Sequence, residues 1–360
     1  MSYKRIGEKI LFDFYRWTRK ISGERKRINE FKKKPDIKPL TKDQEKQVRA
    51  FYKNYKIPNM IFHSYFTDRS GVFYPEYIPQ DIYVGYIDPY YNDVIGAKFL
   101  DNKCLYDMIF HGIPQCETIL KRTNGIWLTG DNVPLDNENT SEIISNEKNG
   151  VFVKEAQLTA GGNGVTYIPQ EKLSFQKVRE ITDSIKTDVV IQRELRQHPD
   201  MSLLNNSSIN TLRMYSILGR DGEVTVYSSV VRMGIDGGKL DNYSAGGLTC
   251  GIQENGSLRK YGYNKAGERM TEHPTSHTIF EGFVIPSYDE AVALVKKAHP
   301  MVAHYRSIDW DIAIREDGTP VLIEANLSRG GIDSLQVNNG PLYGADTRKI
   351  LDEVFNLHRE

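Results

Sequence analysis

Apolar residues recur along this chain with two periods, and the switches between them mark its elements. Near the start, Ile6, Ile10, Phe14, Trp17 and Ile21 lie three and four apart, which predicts a helix with one apolar face and a basic remainder. The Lys- and Pro-rich run "KKKPDIKPLTKDQ" separates it from a second predicted helix over about 41–56. The stretch "YVGYIDPYYNDVIGAKFLDNKCLYDMIFHGIPQCETIL" reads as turns and short strands, then a helix over 101–112 stopped by Gly112 and Pro114, then a strand. In "GVFVKEAQLTAGGNGVTYI" two strands flank a glycine loop, and "EKLSFQKVREITDSI" puts Leu173, Val178, Ile181 and Ile185 on one helix face. "DVVIQREL" is a strand, and residues 209–235 predict a hairpin turning at Gly219 to Gly222. After a Gly- and Asn-rich loop region (236–278) come a helix over 288–299 and paired strands, "IDWDIAIR" and "PVLIEANL", joined by "EDGT".

That last pair has an odd pattern. Glu324 and Asn326 interrupt an apolar run at i and i+2, so both leave one face of the strand; Asp309 and Asp311 do the same on its partner. If the two faces coincide, they form a cluster of hard oxygen ligands suited to Mg²⁺ when substrate phosphates complete its shell. A solvated polar face on an edge hairpin would carry the same short pattern, so companions elsewhere must decide.

Composition narrows the setting. The 360 residues, 39% hydrophobic and 26% charged, are ordinary for a globular chain with room for two or three structural units. No run approaches a membrane span and no signal-peptide pattern opens the chain, so the expected location is cytoplasmic, with the inner membrane face as an option. Cys104, Cys116 and Cys250 lack metal-ligand spacing and are expected to be reduced packing residues. Formal net charge is zero, yet residues 1–40 hold 13 Lys or Arg against 5 Asp or Glu. This segment therefore suggests either a helix docked on its own protein or one in peripheral contact with an anionic membrane. His273 and His277 are four apart, but with Pro274 between them and no H-E-x-x-H pattern a zinc site is not expected.

The companions of the acidic hairpin are three. Lys154 ends a strand just before "TAGGNGV", where Gly161, Gly162 and Gly164 would let backbone N–H groups approach phosphate oxygens; a plain hairpin turn is the alternative. Gln192 and Glu194 sit at i and i+2 near a strand end, where they could meet an adenine edge and a ribose hydroxyl, or simply solvent. Arg213 and Arg232 are cations on neighbouring strands that can face the acidic cluster and neutralise a transferring phosphoryl group, although paired surface arginines are common.

Taken in order, "NDVIGAKFLDNKCLYDMIFHGIP", "GVFVKEAQLTAGGNGV", "VVIQRELRQHP", "SSINTLRMYSIL", "DNYSAGGLTCGI", "GFVIPSYDEAVALVKKAH" and "IDWDIAIREDGTPVLIEANL" resemble the ATP-grasp superfamily. The resemblance covers about residues 90–340. It is nearest to the sugar-transfer-associated ATP-grasp (alpha-L-glutamate ligase-related) proteins of bacterial polysaccharide biosynthesis. It implies an α/β (α+β) fold in which two α+β lobes, 121–195 and 196–360, grip ATP. A basic N-terminal helical segment (1–60) and a small α/β domain (61–120) would precede them.

By the same resemblance Asp311, Glu324 and Asn326 are magnesium ligands, with Asp309 an alternative to Asp311. Lys154 and Lys103 contact ATP phosphates with the glycine loop, Gln192 and Glu194 lie at the adenosine end, and Arg213, with Arg232, serves the reacting phosphoryl group. Asn242, Gly246 and Gly247 line the acceptor side. The activity implied is ATP-dependent ligation of a carboxylate to an amine through an acyl phosphate, the carboxylate borne by a sugar or nucleotide-sugar such as a hexuronic acid; no nucleic acid is involved. Ligation of amino acids or peptides, phosphorylation of a sugar, and a non-catalytic nucleotide-binding partner in glycan assembly are the competing expectations.

Overall fold

The computed structural model describes residues 37–360 except 95, 158–163, 236, 238–245, 329 and 357–360, together with the isolated positions 14, 18, 22, 25 and 29. The expected N-terminal basic helix thus lies almost wholly outside the described residues. The chain divides into two compact units, Met1–Val94 with Ser328–Glu360, and Ile95–Leu327.

The described part of the first unit is helical. Helix Lys42–Tyr52 starts at a capping box in which Thr41 and Gln44 bond each other's backbone N–H groups. Helix Ile332–Asn339 is tied to residue 78 by buried Gln336, whose amide both accepts from the Ile78 N–H (2.7 Å) and donates to the Ile78 carbonyl (2.9 Å). Residues 83–91 depart from the expected turns and strands: they form a π-helical turn, Tyr83–Ile87, running into helix Asp88–Tyr91. Their many Tyr, Val and Ile residues favour strands, but Tyr83, Ile87 and Tyr91, four apart, are the buried ones, and tertiary burial overrides propensity.

The second unit holds two sheets whose strand pairs are all antiparallel. The first comprises β1 (Thr118–Thr123), β2 (Ile126–Thr129), β3 (Pro134–Leu135), β4 (Val151–Glu155), β5 (Val165–Ile168) and β6 (Val189–Arg193), in the order β3-β2-β1-β6-β4-β5. Leu120, Trp127, Val151, Val153, Val189 and Ile191 cover one face, where Ile144 of helix Asn137–Asn146 and Val178 of helix Phe175–Thr182 pack on them. Leu173, Ile181 and Ile185 join this cluster, but Leu173 precedes the helix and Ile185 follows it, so only Val178 and Ile181 reach it from the expected helix face. The strands on either side of the glycine loop are β4 and β5.

The second sheet comprises β7 (Thr211–Leu218), β8 (Val224–Met233), β9 (Leu248–Ile252), β10 (Leu258–Asn264), β11 (Arg269–Met270), β12 (Ser307–Ile314) and β13 (Pro320–Asn326), in the order β11-β10-β9-β8-β7-β12-β13. Leu212, Met214, Val231, Met233, Trp310, Ile312 and Ala325 face a core completed by Ala291, Leu294, Val295 and Ala298, one stripe of helix Tyr288–Ala298. The expected hairpins over 209–235 and 307–326 are both present.

Within that core Trp310 Nε1–H donates to Ser216 Oγ (2.8 Å), His299 Nδ1 lies 2.8 Å from the same hydroxyl, and His299 Nε2 lies 3.0 Å from the Tyr305 carbonyl. The carbonyl requires the proton on Nε2, so Nδ1 accepts from Ser216, and protonating it would leave the serine hydrogen without an acceptor. Burial lowers the His299 value to about 4, and burial does the same to His63 in the first unit. A histidine held below its unfolded value of about 6.5 stabilises the fold fully at neutral pH and loses that contribution as pH falls from about 6.5 to about 4. Each should contribute on the order of 3 kcal/mol at pH 7. The denaturant midpoint should accordingly drop between pH 7 and pH 4.5; a midpoint that does not move would contradict it.

The three cysteines are free and buried, and burial pushes the Cys104 thiol up to about 11 and Cys250 to about 12. They are packing residues, as expected.

Candidate active site

The face of the second sheet opposite the core is polar, and strand register explains its make-up. Arg213 on β7 lies opposite Asp311 on β12, Asp311 opposite Glu324 on β13, and Asp309 opposite Asn326. Directly opposed residues share a face. Arg232 on β8 opposes Thr211, two residues from Arg213, and so joins the same face.

Strict alternation along β13 would also have put Leu322 there, beside Glu324. It is spared by a β-bulge: Ile312 pairs with Leu322 and Asp311 with Glu324, leaving Ile323 as the extra residue. Leu322 thereby turns into the core while Glu324 and Asn326 keep the polar face.

The charges on this face neutralise one another. Arg213 donates to Asp311 through Nε (2.6 Å) and Nη2 (2.9 Å), and Arg232 Nη1 lies 3.1 Å from both oxygens of the same carboxylate. Burial alone would raise the Asp311 carboxyl, but Arg213 and then Arg232 outweigh it and hold it below the ordinary value. Burial likewise opposes the Arg213 charge, yet Asp311 and then Asp309 push its value up. Lys103 Nζ donates to Glu324 Oε1 at 2.7 Å. Asn326 donates through Nδ2 to the Asp309 carbonyl (3.2 Å), which directs its amide oxygen away from that bond.

Lys103 sits where helix 101–112 was expected. In place of that helix the structure has a 3₁₀ turn Lys103–Leu105 and a short helix Tyr106–Ile109, preceded by another, Ala97–Leu100. The interruption is Asn102, whose side chain accepts from the Cys104 N–H (2.9 Å) and donates to Asp188 (3.2 Å), offering the backbone an alternative to the helix. Its consequence is that the Lys103 N–H reaches the Ala156 carbonyl beyond β4 (2.9 Å) while its ammonium reaches β13. Lys103 therefore links the segment just after β4 to β13.

Lys154, Gln192 and Glu194 lie on or at the end of strands of the first sheet. Lys154 donates to Gln192 Oε1 (2.8 Å) and lies over the Phe152 ring. Glu194 accepts from the Tyr167 hydroxyl (2.8 Å), whose value is pushed to about 12 by burial and by that carboxylate. Glu194 also lines an open cleft of about 490 Å³ with Glu117, Arg193, Arg196, Arg315 and Asp317; Lys154, Gln192, Asp309, Asp311, Glu324 and Asn326 do not line it. Gly164 takes φ +74° at the start of β5, and Gly246 takes φ +106° just before buried Gly247 and β9. Gly161, Gly162 and Asn242 lie outside the described residues. Tyr167, which bonds Glu194, and Tyr106, which bonds Ala325 between Glu324 and Asn326, had not been singled out: one looked like an ordinary strand aromatic, the other lay inside an apparently regular helix.

Two antiparallel sheets in one unit, with the helices that pack on them, make this an α+β protein. The sequence model of the sugar-transfer associated ATP-grasp family matches residues 84–350, and the chain belongs to that family. No curated protein matches it.

Among solved structures, it is similar to the biotin carboxylase domain of Hydrogenobacter thermophilus 2-oxoglutarate carboxylase, with MgADP (12% identity, TM-score 0.43, 73% of this chain and 46% of that one). It is also similar to N5-carboxyaminoimidazole synthetase from Staphylococcus aureus with ADP (10%, 0.42, 83% and 56%) and to D-alanine–D-alanine ligase from Bacillus anthracis (10%, 0.39, 78% and 70%). The chain thus spans about half the length of the first two.

Magnesium, which such a site implies, can be tested against the side chains. Among the described residues no three His, Cys, Asp or Glu side chains are grouped to hold a metal by themselves. A carboxylate and an amide oxygen from Glu324 and Asn326, completed by substrate phosphates, do fit this ion, which usually takes only one or two protein carboxylates. Asp311 is engaged by two guanidiniums.

Proposed function

We propose that this protein is an ATP-dependent ligase that joins a carboxylate to an amine through an acyl phosphate, the carboxylate belonging to a sugar such as a hexuronic acid used in capsule or another surface polysaccharide. The observation that carries the reading is the shared face of Arg213, Arg232, Asp311, Glu324 and Asn326 on neighbouring strands, with Lys103 bonded to Glu324, in a chain of this family.

ATP and a carboxylate are both anions, and their approach needs positive charge fixed in advance. Arg213 and Arg232, oriented by Asp311, stand ready to bind the transferring phosphoryl group and the carboxylate; Lys103 and Lys154 bind nucleotide phosphates. Glu324 and Asn326 would hold magnesium, which would supply charge stabilisation for the transferring phosphoryl group. A carboxylate oxygen attacks the γ-phosphorus and ADP leaves; the amine then attacks the acyl carbon, gives up a proton, and inorganic phosphate departs. No protein nucleophile is required. The lobes responsible are residues 121–195 and 196–360, and the acceptor would meet Asn242, Gly246 and Gly247. The match to the sugar-transfer associated family favours a sugar over ligation of two amino acids.

Purified protein with ATP and Mg²⁺ should release ADP and phosphate only when a uronic acid and an amino compound are supplied together. Release with amino-acid pairs alone would move the substrate class, phosphosugar formed without any amine would make the protein a kinase, and silence across all pairs would leave a non-catalytic nucleotide-binding partner.

A further inference from the structure

We infer that Tyr106 is a positioning residue that fixes the strand backbone between Glu324 and Asn326, an assignment that rests on the metal role proposed above for those two side chains. β13 is the last strand of its sheet, so one side of its backbone has no strand partner. There the Tyr106 hydroxyl accepts from the Ala325 N–H (3.1 Å) and donates to the Ala325 carbonyl (3.2 Å). One hydroxyl thus satisfies both backbone groups of the residue separating the two oxygen ligands, and both Tyr106 and Ala325 are buried. A strand lacking this clamp would keep its pairing with β12 but could rock about the bulge at Ile323.

The clamp is itself anchored. Gln115 Nε2 donates to the Tyr106 and Phe110 carbonyls, and buried Lys121 on β1 holds neighbouring Asp107 at 2.8 Å. Cys104 packs against Ala156 and Val190 of the first sheet, and Lys103, three residues before Tyr106, bonds the Ala156 carbonyl and Glu324. The short turn 102–107 therefore carries a cation and a hydroxyl from the first sheet to two successive residues of β13. Moving the turn moves the metal-binding strand, although Tyr106 itself need touch neither ion nor nucleotide.

The test is calorimetric ADP binding as a function of Mg²⁺ concentration. Partners that orient metal-ligating groups typically contribute ~10–100-fold to metal affinity, so Tyr106→Phe should raise the Mg²⁺ concentration for half-maximal enhancement by about that factor while leaving ADP binding in EDTA unchanged. Phe110→Leu loosens the packing of Tyr106, whose ring Phe110 meets at 5.3 Å, while keeping both hydrogen bonds from Tyr106 to Ala325. It should lower the melting temperature yet keep wild-type Mg²⁺ dependence; an equal shift would reduce Tyr106 to a packing residue and overturn the inference. A metal-dependent wild type with an indifferent Tyr106→Phe overturns the inference alone, whereas wild-type binding indifferent to Mg²⁺ removes the proposed metal role as well. If Tyr106→Phe does not fold, amide exchange in the wild type decides: slow exchange at Ala325 supports the clamp, and exchange as fast as at a solvent-exposed strand edge refutes it.

Discussion

Glu324→Gln should nearly abolish ADP formation while leaving the protein folded. The substitution keeps the size of the side chain and one carbonyl oxygen but removes the charge that holds Lys103 and, in the proposed site, the metal. Charge withdrawal by a divalent cation is worth several kcal/mol in a phosphoryl-transfer transition state, so turnover should fall by roughly a thousandfold. Stability should fall by no more than about 3 kcal/mol, because the substitution leaves the largely buried Lys103 ammonium (11% exposed) without its counter-charge, while Glu324 itself is 25% exposed. Coupled measurement of ADP release and thermal unfolding separates the two effects. Turnover at the wild-type rate in a folded variant would remove Glu324 from the metal site.

The hairpin that bears Glu324 was legible in the sequence because its cue is local: alternation, a turn, and two polar residues two apart. What alternation could not reveal is the bulge at Ile323, which sends Leu322 to the core while its apparent face-mates Glu324 and Asn326 stay on the polar side. A bulge appears only when a partner strand's register is known. The 83–91 and 101–112 stretches failed for related reasons. In the first, burial at a spacing of four overrode the strand propensity of Tyr, Val and Ile. In the second, one asparagine side chain reached Asp188, 86 residues away, and broke the helix where Lys103 turns toward β13. Arg213 and Arg232 could be named as cations facing the acidic hairpin, but not that both would converge on Asp311 in particular. That choice depends on which strands are neighbours, and the order β8-β7-β12-β13 brings together residues 213, 232, 311 and 324.

Asp311→Asn, by contrast, should act first on stability. Its carboxylate is nearly inaccessible and is contacted by two guanidiniums through both oxygens. An asparagine would turn an amide NH₂ toward one of those donors and leave two largely buried cations without their counter-charge, a loss of the kind that costs about 3–5 kcal/mol. The pH dependence identifies the cause. Because the Asp311 carboxyl is held below its ordinary value, its contribution is complete above the unfolded-state value near 3.9 and is lost as pH falls further. The stability difference between wild type and Asp311→Asn should therefore be constant from about pH 8 to pH 5 and shrink below about pH 4. The losses at His63 and His299 between about pH 6.5 and 4 are common to both proteins and cancel in that difference. Denaturant titrations at several pH values give the comparison directly. A folded Asp311→Asn protein of wild-type stability, with weakened Mg²⁺-dependent ADP binding, would show instead that Asp311 serves the metal and that its arginine contacts are dispensable.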